Sequence, residues 1–209
     1  MIPTQNYAVA AKRVDAKDSL DDFPTPPWAT RALIEHVIGI ERVKGLCCWE
    51  PAANRGYMAR PLNEYFDYVC ESDIHDYGTG AITDFLNAED SKDFFNWVIT
   101  NPPFNKAQQF IEKAQKNAKD GVAMLVRTSF LEGIMRYNTM FLHNPPDIVA
   151  QFSERVPMVK GRIDQKASTA TSYCWMIWYI DGLHDIEKKT ILTWIPPCRK
   201  SLERINDYE

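Results

Sequence analysis

No two cysteines stand in a CxxC spacing, and no cysteine and histidine lie at the intervals of a metal site, although the chain has five of one and four of the other. No metal site therefore follows from the sequence. Cys47, Cys48, Cys70 and Cys174 lie in apolar runs and read as buried thiols of a reducing cytoplasm. There is no continuous apolar stretch near the roughly 18 residues of a membrane span, and no apolar h-region at the start, so neither membrane insertion nor secretion is expected. Positive charge is not in excess either: 24 Lys and Arg against 28 Asp and Glu leave a net charge of -4. A wide duplex footprint draws its affinity from cations that neutralise phosphates, so any nucleic-acid contact is expected to be small and local, or helped by a partner. No internal repeat or low-complexity tract is present, and nothing in the pattern indicates an oligomeric state.

The 209 residues suffice for one domain with a full α/β core. Residues 1–22 are polar, without apolar period, and read as a flexible arm. Phe23-Pro24-Thr25-Pro26-Pro27-Trp28 is a stiff extended lead-in, because each proline fixes φ and restricts its predecessor. Helical spacing of Ala32, Leu33, His36, Val37 and Ile40 predicts a helix over 28–40. Strands follow at 46–49, 68–74, 94–100 and 121–126. Helices fall between them at 57–65 and from 107 to near Gly121, read as its C-terminal glycine, and a further helix at 131–142. Two late β segments, 148–152 and 173–180, are joined by a long polar loop. Alternating strands and helices predict an α/β fold: an open, mainly parallel sheet with helices on both faces. In such sheets ligands bind beyond the carboxyl ends of the strands, which is where the segments after Trp49, Ile74 and Thr100 fall.

The strongest signal is Asn101-Pro102-Pro103-Phe104, directly after the apolar run Trp97-Val98-Ile99-Thr100. A proline-stiffened loop that merely ends a strand is the plain alternative. The chemical reading starts from an exocyclic amine on a planar ring, a poor nucleophile because its lone pair is delocalised. Two acceptors set against its two N–H bonds would localise that lone pair. The Asn101 side-chain oxygen can be one, and the rigid Pro102 carbonyl the other. Phe104 can stack on the ring.

A second segment, Glu50-Pro51-Ala52-Ala53-Asn54-Arg55-Gly56, turns from a strand into a helix, and a glycine there lets backbone approach a nucleoside closely. An ordinary αβ turn explains it equally well. About twenty residues on, Asp73 ends the next strand, where a carboxylate can accept from ribose hydroxyls or serve as simple turn chemistry. The two together are more specific than either.

On these residues the chain resembles the amino-methyltransferase group of the class I S-adenosylmethionine-dependent methyltransferases, especially small phage or prophage DNA adenine methyltransferases. The resemblance runs from about Phe23 to Pro197. It implies a Rossmann-like fold with a late antiparallel strand, and S-adenosyl-L-methionine as cofactor. It also implies a single methyltransferase domain over 23–209 without a separate target-recognition domain, and transfer to N6 of adenine in DNA inside a bacterial or phage-infected cell. Thr25-Pro26 resembles the element that seats the methionine end of the cofactor, and Glu50, Pro51, Ala52, Asn54 and Gly56 the cofactor loop, with Glu50 near the methionine amine. Asp73, followed by Ile74, resembles the ribose-binding acid, and Asp84-Phe85 the pair at the cofactor's adenine. Asn101, Pro102, Pro103 and Phe104 match the catalytic tetrapeptide throughout, with Asn101 also against the cofactor. The family usually carries Gly-x-Gly in the cofactor loop, and this chain has Asn54 at the first glycine. Asn tolerates positive φ best among the other residues.

The loop after residue 152 carries Arg155, Lys160, Arg162 and Lys166. It reads either as a frame for the target base, its cations meeting phosphates, or as a solvated connection. The aromatics of 173–180 read as sheet packing. Three functions stay open: methylation of DNA adenine, the same chemistry on RNA adenine or a protein glutamine amide, and a non-catalytic cofactor-binding protein, which Asn54 alone motivates.

Overall fold

The computed structural model describes residues 21–91, 94–180 and 189–209. The expected arm over 1–22 lies outside the described residues up to position 20, whereas its last two residues, Asp21 and Asp22, are described and bonded.

Eight strands form one sheet: β1 (Cys47–Glu50), β2 (Tyr68–Asp73), β3 (Ala81–Ile82), β4 (Phe95–Thr100), β5 (Ala118–Arg127), β6 (Ile148–Phe152), β7 (Tyr173–Tyr179) and β8 (Ile191–Ile195). Their spatial order is β3-β2-β1-β4-β5-β7-β6-β8. β7 runs antiparallel between β5 and β6, and every other pairing is parallel. The order reverses between β1 and β4, which opens a crevice at their carboxyl ends.

Parallel strands covered on both faces read as continuous apolar runs, and the side chains divide by alternation. Along β5, Ala123 and Leu125 enter one core, and Val122, Met124 and Val126 the other. Along β7, Tyr173, Trp175 and Ile177 face the first core, and Cys174, Met176 and Trp178 the second, so these aromatics are sheet packing. Helices α1 (Pro27–Leu33), α2 (Ala59–Leu62) and α5 (Arg199–Leu202) cover the first face. Helix α3 (Ala107–Asn117) covers the second with Ala107, Phe110, Ile111 and Ala114. The helix α4 (Ile134–Arg136) passes into a π-helical turn, Tyr137–Phe141, whose Met140 joins that core.

Several expectations are corrected. The helix over 28–40 is α1 followed by a π-helical turn, Ile34–Ile38, stopped by Gly39 at φ 97°. The regular α-helix within 57–65 is only the four residues of α2. Gly121 is not a helix end: α3 stops at Asn117 and Gly121 lies inside β5, where a Cβ would stand 2.6 Å from the Trp97 ring. Strands β3 and β8 had no counterpart in the sequence reading. Cys48 and Cys174 are buried as expected, but Cys47 and Cys70 are half-buried. Among the described residues no helix is long and apolar enough to cross a membrane.

Candidate active site

A cavity of about 420 Å³ opens at the carboxyl ends of β1, β2 and β4. Its wall includes Thr25, Glu50, Pro51, Ala52, Asn54, Asp73, Ile74, Asp84, Phe85, Asn101 and Pro103, so most of the expected cofactor residues converge on one space. Pro26, Gly56, Pro102 and Phe104 stand outside its wall. So do Arg155, Lys160, Arg162 and Lys166.

Glu50, the last residue of β1, is 2% exposed, and its Oε2 has no partner among the described residues. Burial, then the charges of Glu71 and Asp73, holds its carboxyl well above the ordinary carboxylate range, although the neighbouring Ala59 backbone amide pulls it down. An orphaned buried carboxylate oxygen at a cavity wall invites a cation. Asp73 accepts the Asn54 N–H at 3.0 Å on Oδ2 and the His75 N–H at 3.0 Å on Oδ1. A carboxylate has about four acceptor positions, so two N–H donors leave capacity for hydroxyls of a ligand.

Asn54 occupies φ 51°, the left-handed region, the one described non-glycine residue to do so. Its side chain is engaged through both polar atoms: Nδ2 donates to Asp22 Oδ1 at 2.7 Å, and Oδ1 accepts the Arg55 N–H at 2.8 Å. Gly56, at φ 76°, shapes the turn from behind, and a Cβ there would lie 3.2 Å from Glu71 Oε2. Farther along the wall, Asp84 accepts from the Leu86 N–H (3.1 Å) and from Asn87 Nδ2 (2.7 Å). The Phe85 ring is set edge-on to Trp49 at 4.9 Å and tilted on Phe110 at 5.1 Å.

At the end of β4, Asn101 Nδ2 donates to the Phe23 carbonyl (2.9 Å) and Thr25 Oγ1 (3.1 Å), with Met158 Sδ at 3.8 Å. A carbonyl can only accept, so the amide nitrogen must face Phe23 and the oxygen must face the other way. That oxygen, Oδ1, is buried and has no partner among the described residues. The Pro103 carbonyl accepts the Lys106 N–H at 2.9 Å, whereas no backbone hydrogen bond among the described residues reaches the Pro102 carbonyl. Two rigid acceptors thus remain at consecutive residues.

Phe104 stands beside the cavity, outside its wall. Its ring packs on Phe23 (5.5 Å) and Tyr173 (6.4 Å), and the Arg127 guanidinium lies 4.0 Å from its centroid. The loop cations are largely committed as well. Arg155 donates to the Ala170 carbonyl and Ser172 Oγ, and Arg162 pairs with Asp164 at 3.1 Å. Lys160 and Lys166 are exposed. What the loop does bring to the site is Met158, buried against Asn101.

The sequence reading missed the short segment Asp21–Thr25 as a brace. Asp22 holds Asn54 and pairs with Arg55 at 3.1 Å, while its carbonyl accepts the Gly161 N–H. Asp21 accepts the Phe104 N–H at 2.5 Å, and Phe23 and Thr25 hold Asn101. No local signal in an aperiodic polar segment predicts such bonds, whose partners lie 32 or more residues away.

Among solved structures, a proposed RNA methyltransferase of Pyrococcus horikoshii matches with a TM-score of 0.59 at 16% identity, covering 80% of this chain and 91% of that one. The modification subunit of a proposed type I restriction enzyme from Vibrio vulnificus YJ016 gives 0.54 at 14% identity, and the match covers 80% of this chain but 46% of that subunit. Magnesium protoporphyrin IX methyltransferase of Synechocystis PCC 6803, solved with bound SAM, gives 0.50 at 11% identity, covering 73% of this chain and 78% of that one. The fold is that of the Rossmann-like methyltransferases. No protein-family model and no curated protein matches the chain.

Proposed function

We propose that this chain is an S-adenosylmethionine-dependent methyltransferase that methylates the N6 amine of adenine in DNA. The observation that carries the reading is Asn101: its amide nitrogen is tied to Phe23 and Thr25, and its oxygen is held buried and unpartnered at the cavity wall. An acceptor fixed in this way costs little reorganisation when an amine arrives.

The residues present suit the cofactor. The orphaned Glu50 oxygen fits the ammonium of its methionine end, and the remaining acceptor capacity of Asp73 fits ribose hydroxyls. Phe85 and Ile74 offer apolar contact for its base, with Asp84 beside them as an acceptor for an exocyclic amine. Bound there, the cofactor supplies a methyl group already activated as a sulfonium. The protein then has to orient and polarise the acceptor. Asn101 Oδ1 and the Pro102 carbonyl accept the two N–H bonds of the target amine, favouring a localised lone pair, and after the transfer the amine gives up one proton to water.

The Asn54 turn supports an intact site, because its positive φ is accommodated and its side chain is bonded to Asp22 and Arg55. The same two acceptors suit adenine in RNA. Incubating the protein with labelled cofactor and DNA, RNA or protein in parallel tests the reading. Label on N6-methyladenine in DNA is the expected result, and label confined to RNA or protein, or none at all, contradicts it.

A further inference from the structure

Arg127 ends β5, in register with Tyr173 of β7, against the Phe104 ring and outside the wall of the cofactor cavity. Its guanidinium lies 4.0 Å from the Phe104 centroid and 6.0 Å from that of Phe23, and the Tyr173 ring packs on Phe104 at 6.4 Å. Yet Nε of Arg127 is buried without a partner among the described residues. Beside it, the Phe104 N–H already holds an anionic group, the Asp21 carboxylate at 2.5 Å. Burial pushes the Tyr173 phenol up, Arg127 pulls it back, and Asp21 adds a further rise, so the carboxylate, the guanidinium and the phenol share one locality.

A cation with an orphaned donor, a hydroxyl and a backbone N–H occupied by an internal carboxylate together have the chemistry of an anion site. A target nucleotide that places its amine on Asn101 brings its backbone close to the tetrapeptide, whose Phe104 stands against Arg127. The cations of the loop after β6 are poorer candidates, because Arg155 and Arg162 are committed to partners in their own loop.

We propose that the Phe104 N–H, Arg127 and the Tyr173 hydroxyl form a seat for a phosphodiester next to the target adenine, held in the free protein by the Asp21 carboxylate. This rests on the nucleic-acid reading above. It gives an acidic protein one well-placed phosphate contact instead of a broad basic face. Substrate binding releases Asp21 from Phe104, and the phosphate replaces it.

The test measures anisotropy of a fluorescein-labelled, adenine-containing DNA oligonucleotide, duplex and single-stranded, with the full chain over a range of salt concentrations. Arg127→Gln is expected to flatten the log–log salt slope by about 0.9 on duplex or about 0.7 on single strands, the signature of one lost phosphate contact. Arg127→Lys is expected to keep the slope. Asp21→Asn is expected to bind about threefold or more tightly, since a competing charge is gone. Asp21 is exposed, so this variant carries the test even if Arg127→Gln melts early. An unchanged slope in a folded Arg127→Gln, or equal or weaker binding by Asp21→Asn, overturns the seat. Methyl transfer by the wild-type chain is scored separately: its failure defeats the functional reading, while the slopes judge the seat.

Discussion

Asn54 and Asp22 are joined by a hydrogen bond of 2.7 Å, which ties the turn after β1 to the segment that also holds Asn101. The position that is glycine in the resembled family thus carries a side chain turned to a partner of this chain's own. Asn54→Gly keeps the left-handed turn but loses that bond, whereas Asp22→Ala loses it together with the Arg55 ion pair. If the bond is what positions the loop, the double variant binds S-adenosylmethionine no more weakly than Asp22→Ala alone. Calorimetric titration of the four proteins checks this, and additive losses would show the two residues acting independently.

Glu50 makes the stability of the cofactor-free protein depend on pH. Its folded-state carboxyl titrates well above its ordinary value of 4.5, so the fold favours the protonated form. The stability this contributes is fully present below about 4.5 and is lost as pH rises through the raised value. The half-buried Glu71 shifts in the same direction. Glu50→Gln should therefore match or exceed the wild type in melting temperature at pH 8 without cofactor. It should also bind cofactor about ten- to a hundredfold more weakly, the worth of one charge-assisted hydrogen bond. Thermal melts at pH 5 and pH 8 with and without cofactor decide it; a lower melting temperature for Glu50→Gln at pH 8 would contradict the assignment.

Gly121→Ala probes the sheet beneath the site. The added Cβ would stand 2.6 Å from the Trp97 ring, so that ring must shift within a close-packed core. A loss of about 1–3 kcal/mol is expected in urea unfolding. A neutral result would mean that Trp97 moves freely, which its burial against Gly121 of β5 and Tyr179 of β7 argues against.

The central strands and the carboxyl-end position of the site were legible because both depend on local pattern. Apolar runs such as Trp97–Thr100 announce buried parallel strands, and residues that follow them gather at one end of the sheet. Glu50, Asp73 and Asn101 stand where such runs end, whereas Asp84, which follows the unforeseen β3, came only from the family resemblance. Strand β8 was not, because Ile191, Leu192 and Trp194 lie exposed at an edge and show no clean alternation. Asp21, Asp22 and Arg127 were missed for a different reason. Their roles arise from contacts between distant segments, and neither a polar stretch nor the last residue of an apolar strand signals such partners. The loop cations were legible as charges, but their capture by Ala170, Ser172 and Asp164 depends on how the loop folds back.

The most direct measurement compares wild type with Asn101→Ala in single-turnover transfer of labelled methyl from S-adenosylmethionine to adenine-containing DNA, with cofactor affinity measured alongside. Loss of a preorganised partner for the reacting group is expected to slow transfer by about a hundredfold or more, with a much smaller change in cofactor affinity. Near-normal transfer by Asn101→Ala would contradict the assignment of its buried, unpartnered oxygen as the acceptor that prepares the amine.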